Sequence, residues 1–157
     1  MFENVTMPEG VNPETLEHLM NPKNYGKLEG ASGVGVALDE KTGEYVVFYT
    51  LFNEDIIKEC KYATNGCQDT VVIGSMFTTM ITNNDLKYAN GAIDRMHEKL
   101  GSLSPQQQTC ANLVFSAFKA SLKNFENLSD GVVEEMHVFK MKESCEAVGM
   151  EKAESNE

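Results

Sequence analysis

Basic side chains are scarce in this chain: 13 Lys and Arg stand against 24 Asp and Glu in 157 residues, a formal net charge of −11. Nucleic-acid binding needs Lys and Arg to neutralise phosphates, so that class is excluded and a cationic partner fits better. Long apolar runs are missing too. No stretch approaches the ~20 apolar residues that span a bilayer. The leading Met-Phe-Glu-Asn-Val-Thr-Met-Pro has no basic stretch followed by an apolar run, so it does not read as a signal peptide. A cytoplasmic location with no membrane partner is expected. Cysteine is sparse, with four in the chain; in a cytosolic protein such thiols are free, metal-bound or redox-active rather than locked in disulfides. Internal repeats and low-complexity tracts are absent.

What remains is an ordinary globular composition, 41% hydrophobic and 24% charged, long enough for one core. We place a single domain over 1–141 and read 142–157, acidic and poor in apolar residues, as a disordered tail. Asn12-Pro13-Glu14 reads as N-cap, first-position proline and first-turn acid of a helix to about Met20, which Asn21-Pro22 ends. Gly26, Gly30, Gly33 and Gly35 then predict an irregular stretch with no phosphate-binding pattern around it. Val34 to Leu38, Tyr45 to Phe52 and Ile56 to Tyr62 are β-branched or aromatic segments separated by turn residues, and predict an antiparallel meander. In the middle strand Val46, Phe48 and Thr50 share one face and Val47, Tyr49 and Leu51 the other, so either both faces are covered or one is packed and one meets a partner. Helical periodicity marks about Asp69 to Thr82, Asp85 to Leu100 and Pro105 to Asn124. Val132 to Met141 fits either a short strand or a helix. The fold class is α+β: a three-stranded antiparallel sheet packed with about four helices.

Two thiols stand where a loop gives way to a helix, Cys67 in Gly66-Cys67 and Cys110 in Leu103-Ser-Pro-Gln-Gln-Gln-Thr-Cys110. A helix N-terminus offers unpaired N–H groups to an anion, which favours a thiolate and hence metal binding or sulfur chemistry. A buried small apolar role is the competing reading for each. Cys60 falls inside the third strand beside Tyr62 and reads as core, while Cys145 is a tail thiol with no assigned role. His18 is expected to pair with the Asn21 to Gly26 turn, His97 to lie on an exposed face, and His137 is unassigned.

The order of three segments resembles a known family. His18-Leu-Met-Asn-Pro-Lys-Asn-Tyr-Gly26, then Thr64-Asn-Gly-Cys67, then Leu103 to Leu113 are similar in sequence and spacing to the iron-sulfur cluster assembly scaffolds of the NifU N-terminal/IscU type, over about Asn12 to Phe125. Such scaffolds carry Cys-Gly-Asp after the first strand, and this chain has Thr42-Gly43-Glu44. They carry Pro-Pro-x-Lys and a histidine ahead of the third cysteine, and this chain has Ser104-Pro105-Gln106-Gln107 and Thr109.

The resemblance implies the scaffold fold and a function in cluster assembly: transient binding of iron or a 2Fe–2S cluster, or zinc in its place, through Cys67 and Cys110, with Glu44 as the carboxylate of the metal site. It implies a non-enzymatic protein whose partner is a cysteine desulfurase. Two thiolates per chain against the usual four per cluster imply a homodimer when loaded. Gln107 in place of the lysine puts the chaperone interaction in doubt. The missing ligands keep two other readings open, a regulator or adaptor that binds the assembly machinery without a cluster, and a sulfur carrier that accepts a persulfide. A shared site requires the two sulfurs to lie within about 8 Å of each other, a separation that loop movement closes to metal-bridging geometry.

Overall fold

Turn chemistry sets the frame of this fold. In the computed structural model, which describes residues 13–141, α1 (Pro13–Met20) leads through the Asn21-Pro22 turn to β1 (Gly33–Asp39), β2 (Tyr45–Asn53) and β3 (Ile56–Thr64). Gly43 at φ 82° and Glu54 at φ 59° supply the left-handed residues the two hairpins need. Three helices follow, α2 (Gln68–Ile81), α3 (Leu86–Leu100) and α4 (Pro105–Ser129), and the chain returns as β4 (His137–Met141). The tail 142–157 and the expected cap Asn12 lie outside the described residues.

The expected three-stranded antiparallel sheet is a four-stranded mixed one, ordered β3-β2-β1-β4. The meander is antiparallel, with Gly35 opposite Phe48 and Thr50 opposite Cys60, and β4 adds in parallel to the outer edge of β1, with Ala37 beside Phe139. Only five residues long, β4 alternates exposed Val138 and Lys140 with buried Phe139 and Met141, too short a pattern to separate strand from helix. Its partner edge exists only once the meander has formed, and a parallel partner needs the long crossover that the three helices provide.

Gly33 departs from expectation: it opens β1 instead of belonging to the irregular stretch, and the backbone of α4 rests directly on it and on Gly35 within the expected strand. Helix α4 runs five residues past Asn124, because nothing breaks it before Gly131, whose positive φ of 89° closes the end.

The helices cover one face of the sheet. Val46, Phe48 and Thr50 of β2 are buried beneath them while Val47, Tyr49 and Leu51 are half-covered, so the sheet is packed once. Phe48 stands edge-on to Phe77 of α2 at 6.0 Å and to Phe118 of α4 at 5.4 Å, and Phe77 meets Phe118 and Phe115 at 5.2 Å each. Such edge-on pairs contribute about 0.5–1.5 kcal/mol each beyond burial. More to the point, the cluster fixes α2 against α4, and therefore fixes the ends of those helices where Cys67 and Cys110 lie.

Candidate sulfur site at the paired thiols

Strand β3 ends at Thr64, and three residues carry the chain into α2. The Thr64 hydroxyl donates to Tyr45 O at 2.6 Å and accepts from Gly66 N at 2.9 Å. Asn65 ties this turn to the β1–β2 hairpin, accepting from Tyr45 N at 2.8 Å and donating to Gly43 O at 3.2 Å. Cys67 then stands as the N-cap of α2, in extended backbone and with no side-chain capping bond. Its half-buried sulfur thus occupies the position at which a helix start presents unpaired N–H groups.

Helix α4 begins with a capping box. Ser104 Oγ accepts from Gln107 N at 3.2 Å, Gln107 Oε1 accepts from Ser104 N at 3.0 Å, and Pro105 takes the first position. Gln107, read in sequence as a missing lysine, has this local task. Cys110 lies in the second turn, deeper than a helix-start seat, and is only 1% exposed. Burial is the main force pushing its thiol up to about 12; the Thr70 hydroxyl opposes that, and Cys67 and Glu44 add to it. The dipole of a helix fades within its first turn, so at Cys110 burial decides and the neutral thiol is favoured.

Cys67 Sγ and Cys110 Sγ are 3.6 Å apart, well inside the expected distance, and both are free thiols. The hairpin at Gly43, the Cys67 turn and the start of α4 converge here as the resemblance implied. Glu44 is half-buried and its charge reaches Cys110. Among the described residues no three His, Cys, Asp or Glu side chains are grouped so as to hold a metal ion. The fold therefore brings the two thiols into contact and leaves Glu44 in electrostatic range. Thr42 is exposed, its hydroxyl accepting from Glu44 N at 3.2 Å, and Thr109 turns its hydroxyl to Pro105 O at 3.0 Å.

Thr70 went unread in the sequence. Its Oγ1 is fully buried without a hydrogen bond of good geometry, yet it lies close enough to Cys110 to favour the thiolate there. Its position three residues after Cys67, on the same helical face, was the available signal.

The remaining candidates lie elsewhere. Cys60 is core, as expected: it is fully buried, its sulfur faces Thr78 O and Thr82 Oγ1 at 3.6 and 3.4 Å, and burial pushes its pKa up to about 12. His18 is buried and pairs through Nδ1 with Ser75 Oγ of α2 at 2.6 Å, not with the turn itself; Lys23 N of the turn donates to the same hydroxyl at 2.7 Å. His97 is half-buried, stacking edge-on against Phe115 at 5.2 Å, where an exposed face was expected. His137 reaches Glu134 Oε2 through Nδ1 at 3.3 Å. Cys145 is outside the described residues.

A layer of helices on one face of a mixed sheet, with two thiols meeting where a hairpin and two helix ends converge, defines a small α+β domain with a pair of free thiols in contact. The sequence of the NifU-like N terminal domain family matches residues 11–131, and the chain belongs to that family. It is 33% identical over 127 residues to the iron-sulfur cluster assembly scaffold protein IscU of Aquifex aeolicus, covering 79% of this chain and 80% of that one. It is 29% identical over 113 residues to the scaffold protein IscU 1 of Archaeoglobus fulgidus, covering 71% and 74%. In fold it is similar to the crystal structure of a scaffold protein for the SUF system from Fervidobacterium islandicum, with a TM-score of 0.62 at 17% identity over 72% of this chain and 96% of that one. No helix among the described residues is long and apolar enough to cross a membrane.

Proposed function

We propose that this protein is a scaffold for iron-sulfur cluster assembly, taking iron or a 2Fe–2S cluster as cargo through Cys67 and Cys110. The observation that supports the reading most directly is the 3.6 Å separation of two free thiols. Two sulfurs bound tetrahedrally at ~2.3 Å to one ion stand about 3.8 Å apart, so the pair is already spaced for a shared metal without loop movement. Either iron or zinc accepts that geometry. Glu44 completes the set of donors on this chain when the hairpin brings its carboxylate in. Cargo must also leave, and a site short of ligands suits release. The remaining ligands come from a second copy, which makes the loaded form a dimer, and sulfur arrives from a cysteine desulfurase. The protein acts as a carrier of cargo and not as an enzyme, in the cytoplasm.

A second reading rests on its own observation. Thr42 and Thr109 stand where the family resemblance places ligands, and no three-ligand group exists among the described residues. An adaptor that binds the assembly machinery without cargo fits that fact. Anaerobic reconstitution with iron and sulfide, read by visible absorption and metal analysis, separates the two. The scaffold gains charge-transfer bands and iron, and loses both in Cys67→Ser and Cys110→Ser; a folded protein that stays colourless and iron-free is the adaptor.

A further inference from the structure

The contact between the two sulfurs has a second chemical use. We propose that Cys67 and Cys110 form a sulfur-reducing dithiol, in which a sulfane sulfur delivered onto Cys67 is released as sulfide when Cys110 attacks the Cys67 sulfur and closes a Cys67–Cys110 disulfide. The proposal rests on the reading above that sulfur is delivered to this site.

Geometry assigns the two roles. Cys67 is half-buried at the surface end of α2, while Cys110 is 1% exposed beneath it, so an incoming sulfur donor reaches Cys67 first. The product is then a persulfide whose inner atom is Cys67 Sγ, 3.6 Å from Cys110 Sγ. That is close to the ~3–3.5 Å of a near-attack arrangement, and closing it to a disulfide of about 2.05 Å takes a short side-chain movement. Cys60 cannot compete, being buried in the core against Thr78 and Thr82.

The step balances within the site. The Cys67 persulfide anion and the neutral Cys110 thiol become a disulfide and hydrosulfide, HS⁻. The bond between Cys67 Sγ and the terminal sulfur breaks, and the bond between Cys67 Sγ and Cys110 Sγ forms. The Cys110 proton goes to the departing sulfur. In this step Cys110 Sγ is oxidised by one electron and the terminal sulfur reduced by one; over delivery and release together the two thiol sulfurs each lose one electron and the sulfane sulfur gains two, so no external electron donor enters. Exposure of Cys67 lets a dithiol reductant from solution reopen the disulfide by exchange and restore both ligands. Cluster assembly consumes sulfur as sulfide, and a persulfide left on Cys67 occupies a ligand position without supplying it. The absence of a thiol at Thr42 also matters, because a third cysteine in the hairpin would compete for the same persulfide.

The test uses the reduced, metal-free full chain under anaerobic conditions, with inorganic polysulfide as sulfur donor. After desalting, non-reducing peptide mass mapping should find Cys67 joined to Cys110, with about one sulfide trapped per chain. In Cys110→Ser and Cys110→Ala the added sulfur should stay on Cys67, with a persulfide lifetime at least about tenfold longer than in the parent, since the intramolecular attack is lost. Cys67→Ser should gain neither sulfur nor disulfide. A parent protein that keeps its persulfide as long as the Cys110 variants overturns the proposal, as does a disulfide that forms equally without polysulfide. If the variants do not fold, the peptide map of the parent decides alone. Iron reconstitution of the same preparation keeps the two ideas apart: iron bound beside a persistent persulfide leaves the scaffold standing and removes the reducing dithiol.

Discussion

Gly35 lies so close to Ser121 that a β-carbon on it would collide with the Ser121 backbone nitrogen and with Ala117 O. Strand β1 therefore accepts the backbone of α4 directly, with no side chain between. This contact sets the depth at which α4 runs along the sheet, and so where Cys110 meets Cys67. Gly35→Ala should cost about 3 kcal/mol or more, because the obstacle is backbone that cannot rotate away. Gly91→Ala in α3 is the control. Its β-carbon meets only the flexible Arg95 guanidinium at 3.3 Å, and gain of helix propensity should stabilise by ~0.5–1 kcal/mol. Urea unfolding of both variants measures the contrast, and equal effects would remove the close-approach argument.

Restoring a thiol in the hairpin should strengthen metal binding. Thr42 is exposed next to Gly43, which Asn65 ties to the Cys67 turn at 3.2 Å. Thr42→Cys adds a soft anionic donor to the existing pair, and iron or zinc affinity should rise by at least about tenfold, ~1.4 kcal/mol. Competition against a chelator of known affinity reads it. Unchanged affinity and stoichiometry would place the hairpin outside the site.

Stability should depend on His18 at mildly acidic pH. Burial lowers its pKa below 6.5, aided by Lys23 and Lys99 and opposed by Glu14 and Glu17. The unfolded chain then binds the proton more readily than the folded one. The His18 contribution is present in full above pH 6.5 and is lost as pH falls below it toward the lowered folded value. Urea midpoints should drop between about pH 7.5 and about pH 5.5 in the parent, and drop less in His18→Asn, whose amide reaches Ser75 without titrating. The same drop in both would assign the pH dependence to other groups.

Cluster loading should change the oligomeric state. Two thiolates per chain against the usual four per cluster call for two copies with their sulfur ends facing, at about one iron per chain. A net charge of −11 on each copy opposes that approach, so loading should improve as ionic strength rises and screening grows. Sedimentation of the reconstituted protein at low and high salt reads both effects. A loaded monomer with a full iron complement would mean that the other ligands come from within the chain.

Much of this was legible along the chain because its signals are local. The apolar spacing of α2, the Ser104-Pro105 start of α4 and the turn residues around Gly43 and Glu54 each act within a few neighbours, and α1 to α4 and β1 to β3 formed close to where those signals placed them. The Gly66-Cys67 turn and the segment before Cys110 were enough to single out both thiols. What lay beyond reach depended on which distant segment arrives as neighbour. The five residues of β4 became a strand because β1 had an open edge. Cys110 became a buried thiol because α4 sinks onto two glycines of β1, which read in sequence as punctuation. His18 found Ser75, 57 residues away. A sequence determines the periodicity of its elements and the kinds of atoms available at their ends; the separation of two sulfurs 43 residues apart is decided by packing, because only the close fit of helices on a sheet sets distances to within an ångström.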